Sequence, residues 1–179
     1  VTVDQRRYIK AVNFGLIYGM GAQGLANRIE VSIEEAHKLI RTYFATYEGV
    51  DKWLRQATQQ TIKSGYATTL AGRKRFFTLA STDKAQRAMA ERAARNHPIQ
   101  GTNADILKRA LALLYAALPE PVHLLLCVHD EIVLECPEDW LEVAERILKE
   151  AMVQACRDFL KVVAIPEPEV VVGKAWMKG

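Results

Sequence analysis

The chain has 179 residues, of which 50% are hydrophobic and 25% are charged, and its formal net charge is +3. This composition excludes an intrinsically disordered chain, and the length allows one domain or two small ones with a real hydrophobic core. No apolar run approaches the roughly 20 residues of a bilayer-spanning helix, and VTVDQRRYIK at the start does not have the pattern of a signal peptide.

The positive charge is concentrated in the first part of the chain. Residues 1–82 contain 12 Lys and Arg against 6 Asp and Glu, whereas residues 83–179 contain 12 against 15. A basic region joined to a mildly acidic one indicates that a polyanion binds mainly the first. A solvated helical surface without a ligand would have a similar composition.

The three cysteines are an odd set without the spacing of metal ligands: Cys127, Cys136 and Cys156. We expect reduced, largely buried thiols in a cytosolic protein, and no zinc site.

The chain is predicted to begin with two helices. Thr2 and Gln5 have the spacing of a capping box, which starts a helix at about residue 3. Glycines end that helix at Gly19 or Gly21. A short helix over 22–29 follows.

Two further helices and a hairpin complete the first part. Ser32 begins a helix with Glu35 at the capping-box position. Its apolar stripe consists of Leu39, Ile40, Tyr43 and Phe44. After a break at Gly49 a helix covers about 50–63. The sequence GYATTLAGRKRFF then predicts a β-hairpin over 66–77, because strand formers alternate around an Ala-Gly turn.

The second part is predicted to be mixed. Residues 83 to about 118 have a helical pattern that we expect to bend at Pro98, since an internal proline removes a backbone hydrogen bond. The sequence PEP at 119–121 ends this helix, and strands over 122–128 and 131–136 follow.

A long amphipathic helix begins at Pro137 and runs to about residue 160, and PEVVVG at 168–173 is predicted as a final strand. The fold class is therefore α+β. The boundary between the basic helical part, 1–82, and the α+β part, 83–179, lies near residue 80.

Residues four positions apart form one face of the first helix: Arg6, Lys10, Phe14 and Tyr18. Because four residues turn an α-helix by about 400°, this face winds slowly, beginning cationic and ending aromatic. It suits a nucleotide whose phosphates lie beside the cations, although a surface helix with its aromatic residues in the core gives the same spacing. Gly15 and Gly19 indicate close approach by a ligand or backbone, or a helix that moves.

The sequence LLLCVHDEIVLE, residues 124–135, places His129, Asp130 and Glu131 between two runs of strand-forming residues. Charged groups are costly to bury unless they are paired or bound to metal. The stretch alone fits a solvated hairpin tip, and it also fits a metal-binding carboxylate on a rigid hairpin.

Three separated segments resemble the family A DNA polymerases, of the bacterial DNA polymerase I type. RRYIKAVNFGLIYGMG, residues 6–21, is similar to motif B, with its Arg, its Lys four positions later and its Tyr-Gly pair. VHDE, residues 128–131, is similar to motif C, and RNHPIQGTNADI, residues 95–106, resembles the segment between them. The resemblance extends over essentially the whole chain.

The resemblance implies a nucleotide-binding role for the first helix. Arg6 and Lys10 would contact the incoming triphosphate, and Lys10 could also give a proton to the leaving pyrophosphate. Phe14 would stack near the sugar and base, where the family has Phe or Tyr, and its missing hydroxyl implies poor use of dideoxynucleotides. Tyr18 would occupy the templating-base position until the helix closes, which offers fidelity through induced fit.

The resemblance also implies DNA contacts. Arg92, Asn96 and Gln100 lie on one helical face and would contact the minor groove of the new duplex and the primer strand, where acceptors recur in every correct base pair. A solvated polar face would have the same spacing. Arg87 and the basic residues 73–75 are candidates for template-phosphate contact, and a plain basic surface is the alternative.

In the motif C segment, the resemblance implies that Asp130 binds metal. Glu131 would lie at the site and support the metal or the primer end. His129 would touch the backbone of the primer terminus, with satisfaction of the turn backbone as the alternative. The implied reaction is two-metal transfer of a dNTP to a primer 3′-hydroxyl, with Mg²⁺ as the cofactor.

The family's second metal-binding aspartate, from motif A, has no counterpart in this sequence, nor has the thumb. We therefore expect fingers in 1–82 and the motif C part of the palm in 83–179, inactive alone. The expected partners are primer–template DNA, dNTPs and an upstream segment or chain that supplies motif A and the thumb. Two Mg²⁺ ions would be shared with the absent aspartate, and the expected location is the cytoplasm, in association with the nucleoid.

Two alternatives stay open. A phage-type single-subunit RNA polymerase shares the Arg/Lys/Tyr-Gly helix and an HD motif, but Glu131 and Phe14 favour DNA synthesis. A non-catalytic DNA-binding subunit derived from a polymerase would be expected to lose Lys10 or Asp130, and both are present.

Overall fold

The computed structural model describes residues 2–77, 84–161 and 164–176. It divides into two compact units, Val1–Gly101 and Thr102–Gly179. Within the described ranges the helices are α1 Val3–Ile17, α2 Ala22–Ile29, α3 Ile33–Thr46, α4 Glu48–Ser64, α5 Lys84–Ala117 and α6 Leu141–Phe159, with a short 3-10 helix at Glu138–Trp140. The strands are β1 Tyr66–Thr68, β2 Lys74–Phe76, β3 His123–Val128 and β4 Glu131–Glu135. The α+β class predicted from the sequence is confirmed.

The division between the units lies inside α5, which is continuous through Pro98. The sequence predicts a boundary near residue 80, between the parts 1–82 and 83–179, and residues 78–83 lie outside the described ranges. The assignment of fingers and palm to the two parts of the chain stays a prediction.

Both predicted capping boxes are present. The Thr2 hydroxyl accepts the backbone N–H of Gln5 at 3.2 Å, and the Gln5 side chain accepts that of Thr2 at 2.9 Å. Ser32 and Glu35 form the same reciprocal pair at the start of α3. Each box satisfies backbone donors that have no partner within the helix, so the two helices begin where the sequence predicts.

The first unit has a small apolar core between α1, α2 and α3. Its buried side chains are those of Leu16, Leu25, Ala26 and Ala36. The stripe predicted on α3 packs against them through Leu39, Ile40, Tyr43 and Phe44. The helical period thus identified the face of α3 that is buried.

The predicted helix break at Gly49 is wrong. The break is at Tyr47, whose backbone is not helical (φ −112°, ψ 57°) and whose ring lies 4.9 Å from that of Tyr43. Gly49 is in the first turn of α4, where the backbone N–H groups have no intrahelical partner in any case. A glycine there does not end the helix.

The hairpin predicted over 66–77 is confirmed. Strands β1 and β2 are antiparallel, with Tyr66 opposite Phe76 and Thr68 opposite Lys74. The connecting turn is closed by the backbone N–H of Gly72, which donates to Thr69 at 2.9 Å. Gly72 has a φ of +82°, a conformation that favours glycine.

The second unit packs one face of the β3–β4 hairpin on helices. Leu114 of α5 and Leu148 and Ala151 of α6 are buried, and hairpin residues pack against them through Leu124, Ile132 and Leu134. Leu125 and Cys127 of β3 are exposed, although Cys127 lies opposite Ile132 in the ladder. The expectation of largely buried thiols is therefore wrong for Cys127, which lies next to the end of β3 at the hairpin turn, while Cys136 and Cys156 are half-buried.

The predicted strand at 168–173 is also wrong. These residues are not in a strand, and the sheet that the structure describes in the second unit contains β3 and β4 alone. Val170 packs against the core of this unit, whereas Val171 is 87% exposed. A strand requires a hydrogen-bonded neighbour, which β propensity by itself does not provide.

The helix predicted from Pro137 begins with a turn of 3-10 helix, and α6 starts at Leu141. Among the described helices, none is both long enough and apolar enough to cross a membrane.

Candidate functional site

The side chains of Lys10, Phe14 and Tyr18 adjoin one another along one face of α1. Lys10 Nζ lies 5.9 Å from the centre of the Phe14 ring. The rings of Phe14 and Tyr18 stack with their centres 5.9 Å apart and their planes at 27°. Arg6 and Lys10 are exposed, and Phe14 is 48% exposed. The cationic end and the aromatic end of this row are thus both accessible, and Phe14 is not a core residue.

The two glycines beside Tyr18 are close to protein side chains. A Cβ atom on Gly15 would lie 3.0 Å from the sulfur of Met20, and one on Gly19 would lie 3.2 Å from Cγ of Arg92. Gly19 also has a φ of +81°. Both glycines are approached by side chains and not by backbone, which the sequence left as a possibility. The absence of a side chain on Gly19 lets Arg92 of α5 lie next to the end of α1.

Residues of α5 gather around Tyr18. Asn96 Nδ2 donates to the carbonyl oxygen of Tyr18 at 3.5 Å, and Gln100 Nε2 donates to its hydroxyl. Arg92, one turn earlier, lies beside Gly19. Arg92, Asn96 and Gln100 therefore lie on one face of α5. In this structure that face contacts Tyr18 and Gly19 at the end of α1.

Asn96 has one polar atom that this packing does not use. Its Oδ1 is buried and has no hydrogen-bond partner within the described ranges. A buried acceptor without a donor costs about 1–3 kcal/mol. The arrangement around Tyr18 thus leaves an acceptor that a rearrangement or a ligand could satisfy.

The other predicted template contacts differ in their surroundings. Arg87 is exposed and pairs with Glu91 at 3.3 Å, a surface pair of little energetic weight. Arg73 Nη2 donates to the carbonyl oxygen of Gly101 at 2.9 Å, which anchors the β1–β2 hairpin to α5. Lys74 and Arg75, on the exposed strand β2, lie over the rings of Tyr66 and Phe77.

In the second unit, the predicted acidic tip is a two-residue turn. Val128 pairs with Glu131, so His129 and Asp130 connect the two strands. His129 has a φ of +57°, in the left-handed region that costs a residue with a Cβ about 1–2 kcal/mol. His129, Asp130 and Glu131 are all exposed. The turn presents three polar side chains to solvent on a backbone held by the hairpin.

Trp176 contacts Glu131, which the sequence does not predict. Its indole Nε1 donates to Glu131 Oε2 at 3.2 Å. The two residues are 45 positions apart, and a single tryptophan outside any periodic segment gives no pattern from which to predict this contact. The hydrogen bond orients Glu131 beside the turn.

Asp130 and Glu131 offer the hard oxygen donors that Mg²⁺ prefers, and their exposure leaves room for water and phosphate ligands. In the ranges described, no three His, Cys, Asp or Glu side chains are grouped so as to hold a metal ion. The two adjacent carboxylates are chemically suited to supply part of the ligand set of a magnesium ion.

Comparisons with known proteins agree on one family. The sequence model described as DNA polymerase family A matches residues 1–178. The thermostable DNA polymerase I of Thermus filiformis is 42% identical over 181 residues, covering 99% of this chain and 21% of that protein. The DNA polymerase I of Pseudomonas aeruginosa is 46% identical over 146 residues, covering 79% of this chain and 16% of that protein.

A solved structure is similar too. It is described as the POL domain of Pol1 from M. smegmatis in complex with DNA primer-template and dNTP. The TM-score is 0.83 at 40% identity, and the match covers 87% of this chain and 28% of that one. The chain thus spans about a fifth of the length of the curated relatives it matches. With the family model matching nearly every residue and the fold matching a polymerase domain, the chain belongs to DNA polymerase family A.

Proposed function

We propose that this chain supplies the nucleotide-binding helix and one metal-binding carboxylate of a DNA-directed DNA polymerase. The observation that carries the proposal is the exposed row on α1, in which Lys10, Phe14 and Tyr18 adjoin one another. Membership of the family supports it, as does the likeness to a domain described with primer-template and dNTP.

The row on α1 has the order of groups that a nucleoside triphosphate presents. Arg6 and Lys10 bind the phosphates, Arg with a planar fork and Lys with a mobile ammonium group. Phe14 packs against the sugar and base. Lys10 also gives a proton to the departing pyrophosphate, which lowers the charge of the leaving group.

Tyr18 has to leave its place before a template base can enter. In this structure its hydroxyl and its carbonyl oxygen accept hydrogen bonds from Gln100 and Asn96. Movement of α1 would break these bonds and free both amides, together with Arg92, for the minor groove of the duplex. The same three side chains of α5 would then contact the end of α1 before the movement and the DNA minor groove after it.

The turn of the β3–β4 hairpin is assigned the metal and the primer end. Asp130 is the magnesium ligand, Glu131 supports it, and His129 binds the backbone of the primer terminus. Bound magnesium neutralises phosphate charge and lowers the pKa of the primer hydroxyl. A second aspartate for a two-metal site comes from the motif A segment, which is not in this chain.

The polymerase therefore needs more than these residues. Residues 1–82 are assigned to the fingers and 83–179 to the palm, and the thumb and motif A come from an upstream segment or a partner chain. We call the chain together with that segment the assembled polymerase. Its proposed substrates are primer–template DNA and dNTPs, and its proposed location is the cytoplasm, in association with the nucleoid.

Reconstitution tests this proposal. The 179-residue chain is mixed with a segment that carries motif A and the thumb, and extension of a 5′-labelled primer on a template is followed with Mg²⁺ and dNTPs. We expect extension by the mixture and none by either component. A mixture in which both components are folded but extend nothing would contradict the proposal, and so would extension by this chain alone.

A further inference from the structure

The β1–β2 hairpin carries positive charge without any negative charge. Residues 65–77 contain Arg73, Lys74 and Arg75 and no Asp or Glu. All three residues of β2 are exposed, and Phe76 at its end is 75% exposed. The end of β2 thus presents two cations and an aromatic ring to solvent within three consecutive residues.

The rings and the cations of the hairpin are arranged together. The rings of Tyr66 and Phe76, opposite each other in the ladder, have their centres 5.6 Å apart. Lys74 Nζ lies 4.5 Å from the centre of the Tyr66 ring, and the Arg75 guanidinium lies 5.3 Å from that of Phe77. We call the exposed side chains of Lys74, Arg75 and Phe76, together with the half-buried Tyr66, the hairpin surface.

This combination matches the chemistry of an unpaired nucleic-acid strand. Proteins that bind single strands use aromatic rings on which bases stack, beside cations that track the phosphates. A duplex offers phosphates but keeps the faces of its bases stacked inside, so the exposed ring of Phe76 favours a single strand over a duplex. Stacking does not depend on sequence, as a copying enzyme requires.

The hairpin is fixed next to residues that the proposed function places at the template. Arg73 Nη2 donates to the carbonyl oxygen of Gly101, and a Cβ on Gly101 would lie only 2.6 Å from the Thr69 methyl group. Gln100, the preceding residue, contacts the hydroxyl of Tyr18. A chain of direct contacts within the first unit thus connects the hairpin to the position assigned to the templating base.

We propose that the hairpin surface binds the unpaired 5′ part of the template, with a base stacked on Phe76 and with Lys74 and Arg75 beside the phosphates. This inference rests on the proposed function for the identity of the strand. It adds a template-binding site to the polymerase and makes the length of the single-stranded overhang a determinant of affinity.

Fluorescence anisotropy with the assembled polymerase tests this inference. Two primer–templates are compared that differ only in the length of the template overhang, 2 or 12 nucleotides. We expect the long overhang to bind more tightly, and Phe76→Ala to weaken its binding by about 5- to 100-fold while leaving the short overhang unchanged. Phe76→Trp keeps a ring and should keep the preference.

Two control variants separate the hairpin from the rest of the surface. Trp53→Ala removes a ring that is 40% exposed on α4 and should leave the preference intact. Lys74→Ala with Arg75→Ala should reduce the dependence of affinity on log salt by about 1.4 for the long overhang, from about 0.7 for each phosphate contact. Lys63→Ala, on α4, should leave the salt dependence of the affinity unchanged.

Each outcome decides the question. If Phe76→Ala weakens both overhangs equally, or lowers the melting temperature together with the affinity, Phe76 is an internal packing contact and the inference is wrong. Equal affinity of the wild type for both overhangs, with normal primer extension, overturns the inference and leaves the proposed function standing. Absence of extension with Phe76-dependent binding of a twelve-nucleotide dT strand overturns the proposed function and supports a single-strand site on the hairpin.

Discussion

His129 has a strained backbone at an exposed position. This strain makes it possible to distinguish a residue that only forms the turn from one whose imidazole binds the primer terminus. Its φ of +57° would suit glycine better than any residue with a Cβ. If the residue only formed the turn, glycine would serve at least as well. If its imidazole binds the backbone of the primer terminus, glycine removes that group while the turn keeps its shape.

We therefore expect His129→Gly to retain or raise the melting temperature and to slow primer extension by about 10-fold or more, the value of one lost hydrogen bond to a charged group. His129→Ala keeps the strained Cβ and should be less stable than the glycine variant by about 1–2 kcal/mol. Thermal melting and single-nucleotide extension by the assembled polymerase measure both effects. Full activity of the glycine variant would show that His129 only forms the turn and does not bind the primer terminus.

Glu131 is the only carboxylate of the turn segment for which the described structure gives a side-chain donor. Trp176 Nε1 donates to it at 3.2 Å, and the indole is partly exposed. A hydrogen bond to an ionised carboxylate contributes about 1.5–3 kcal/mol to holding its orientation. Trp176 is on this view a positioning residue that acts through Glu131.

Trp176→Phe removes the donor and keeps an aromatic ring. We expect the Mg²⁺ concentration for half-maximal primer extension to rise by several fold, while the affinity for primer–template DNA stays within about 2-fold. Glu131→Gln should raise the Mg²⁺ requirement as well, and the double variant should add little to it. Additive effects of the two changes would mean that Trp176 does not act through Glu131.

At the scale of elements, the hairpin β1–β2 depends on the absence of a side chain on α5. A Cβ on Gly101 would lie 2.6 Å from Cγ2 of Thr69 and 3.0 Å from Cε1 of His97. Glycine inside a helix ordinarily destabilises it by about 1 kcal/mol relative to alanine. At this position the close packing of the hairpin reverses that preference.

Gly101→Ala is therefore expected to destabilise the chain by about 1–3 kcal/mol through overpacking. Gly49→Ala, in the first turn of α4 where a Cβ would meet nothing within 4 Å, should instead stabilise it by about 0.5–1 kcal/mol. Thr69→Ser removes the methyl group but keeps the hydroxyl that accepts from Arg73, and it should partly rescue Gly101→Ala. Chemical denaturation of the four variants measures this, and two glycines that respond alike would rule out the packing explanation.

Helices α5 and α6 of the second unit are joined by an ion pair that predicts a pH effect. Arg109 Nε donates to Asp158 Oδ2 at 2.7 Å, and Gln154 donates to the other oxygen at 2.8 Å. The Arg109 hydrogen bond, followed by that of Gln154, holds the pKa of Asp158 below its usual value. The folded state thus binds this proton less readily than the unfolded state.

The stabilisation from Asp158 is therefore present above the unfolded pKa of about 3.9 and is lost as the pH falls through the lowered folded pKa. We expect Asp158→Asn to melt below the wild type at pH 7 and at pH 5, with the difference shrinking below about pH 4. Arg109→Gln removes the other partner of the ion pair and should abolish the same pH dependence of the melting temperature. A difference in melting temperature that persists unchanged to pH 2 would mean that the ion pair is not its cause.

Over the whole molecule, the sequence predicted correctly those features that depend on residues close together in the chain. Both capping boxes, the face of α3 and the turn of β1–β2 depend on residues within a few positions of one another, so spacing alone determines them. The row on α1 belongs to the same class, since a helix fixes the neighbours of each side chain.

What the sequence did not predict depends on contacts between distant segments. The strand expected at 168–173 needs a neighbour that β propensity does not supply. Cys127 is exposed although Ile132, opposite it in the ladder, packs against the core. The contacts of Gln100 with Tyr18 and of Trp176 with Glu131 join residues 82 and 45 positions apart. Residue types and spacing carry no signal for such pairs.

The central claim is that Asp130 binds catalytic magnesium for nucleotide addition at a primer end, and one measurement tests it most directly. Single-turnover incorporation of one nucleotide by the assembled polymerase is compared for the wild type, Asp130→Asn and the exposed control Asp139→Asn. We predict that Asp130→Asn lowers the rate by about 1,000-fold or more, since a metal ligand contributes several kcal/mol, while primer–template affinity and the control rate stay near wild type. A rate for Asp130→Asn within about 10-fold of the wild type, with the same Mg²⁺ dependence, would contradict the account.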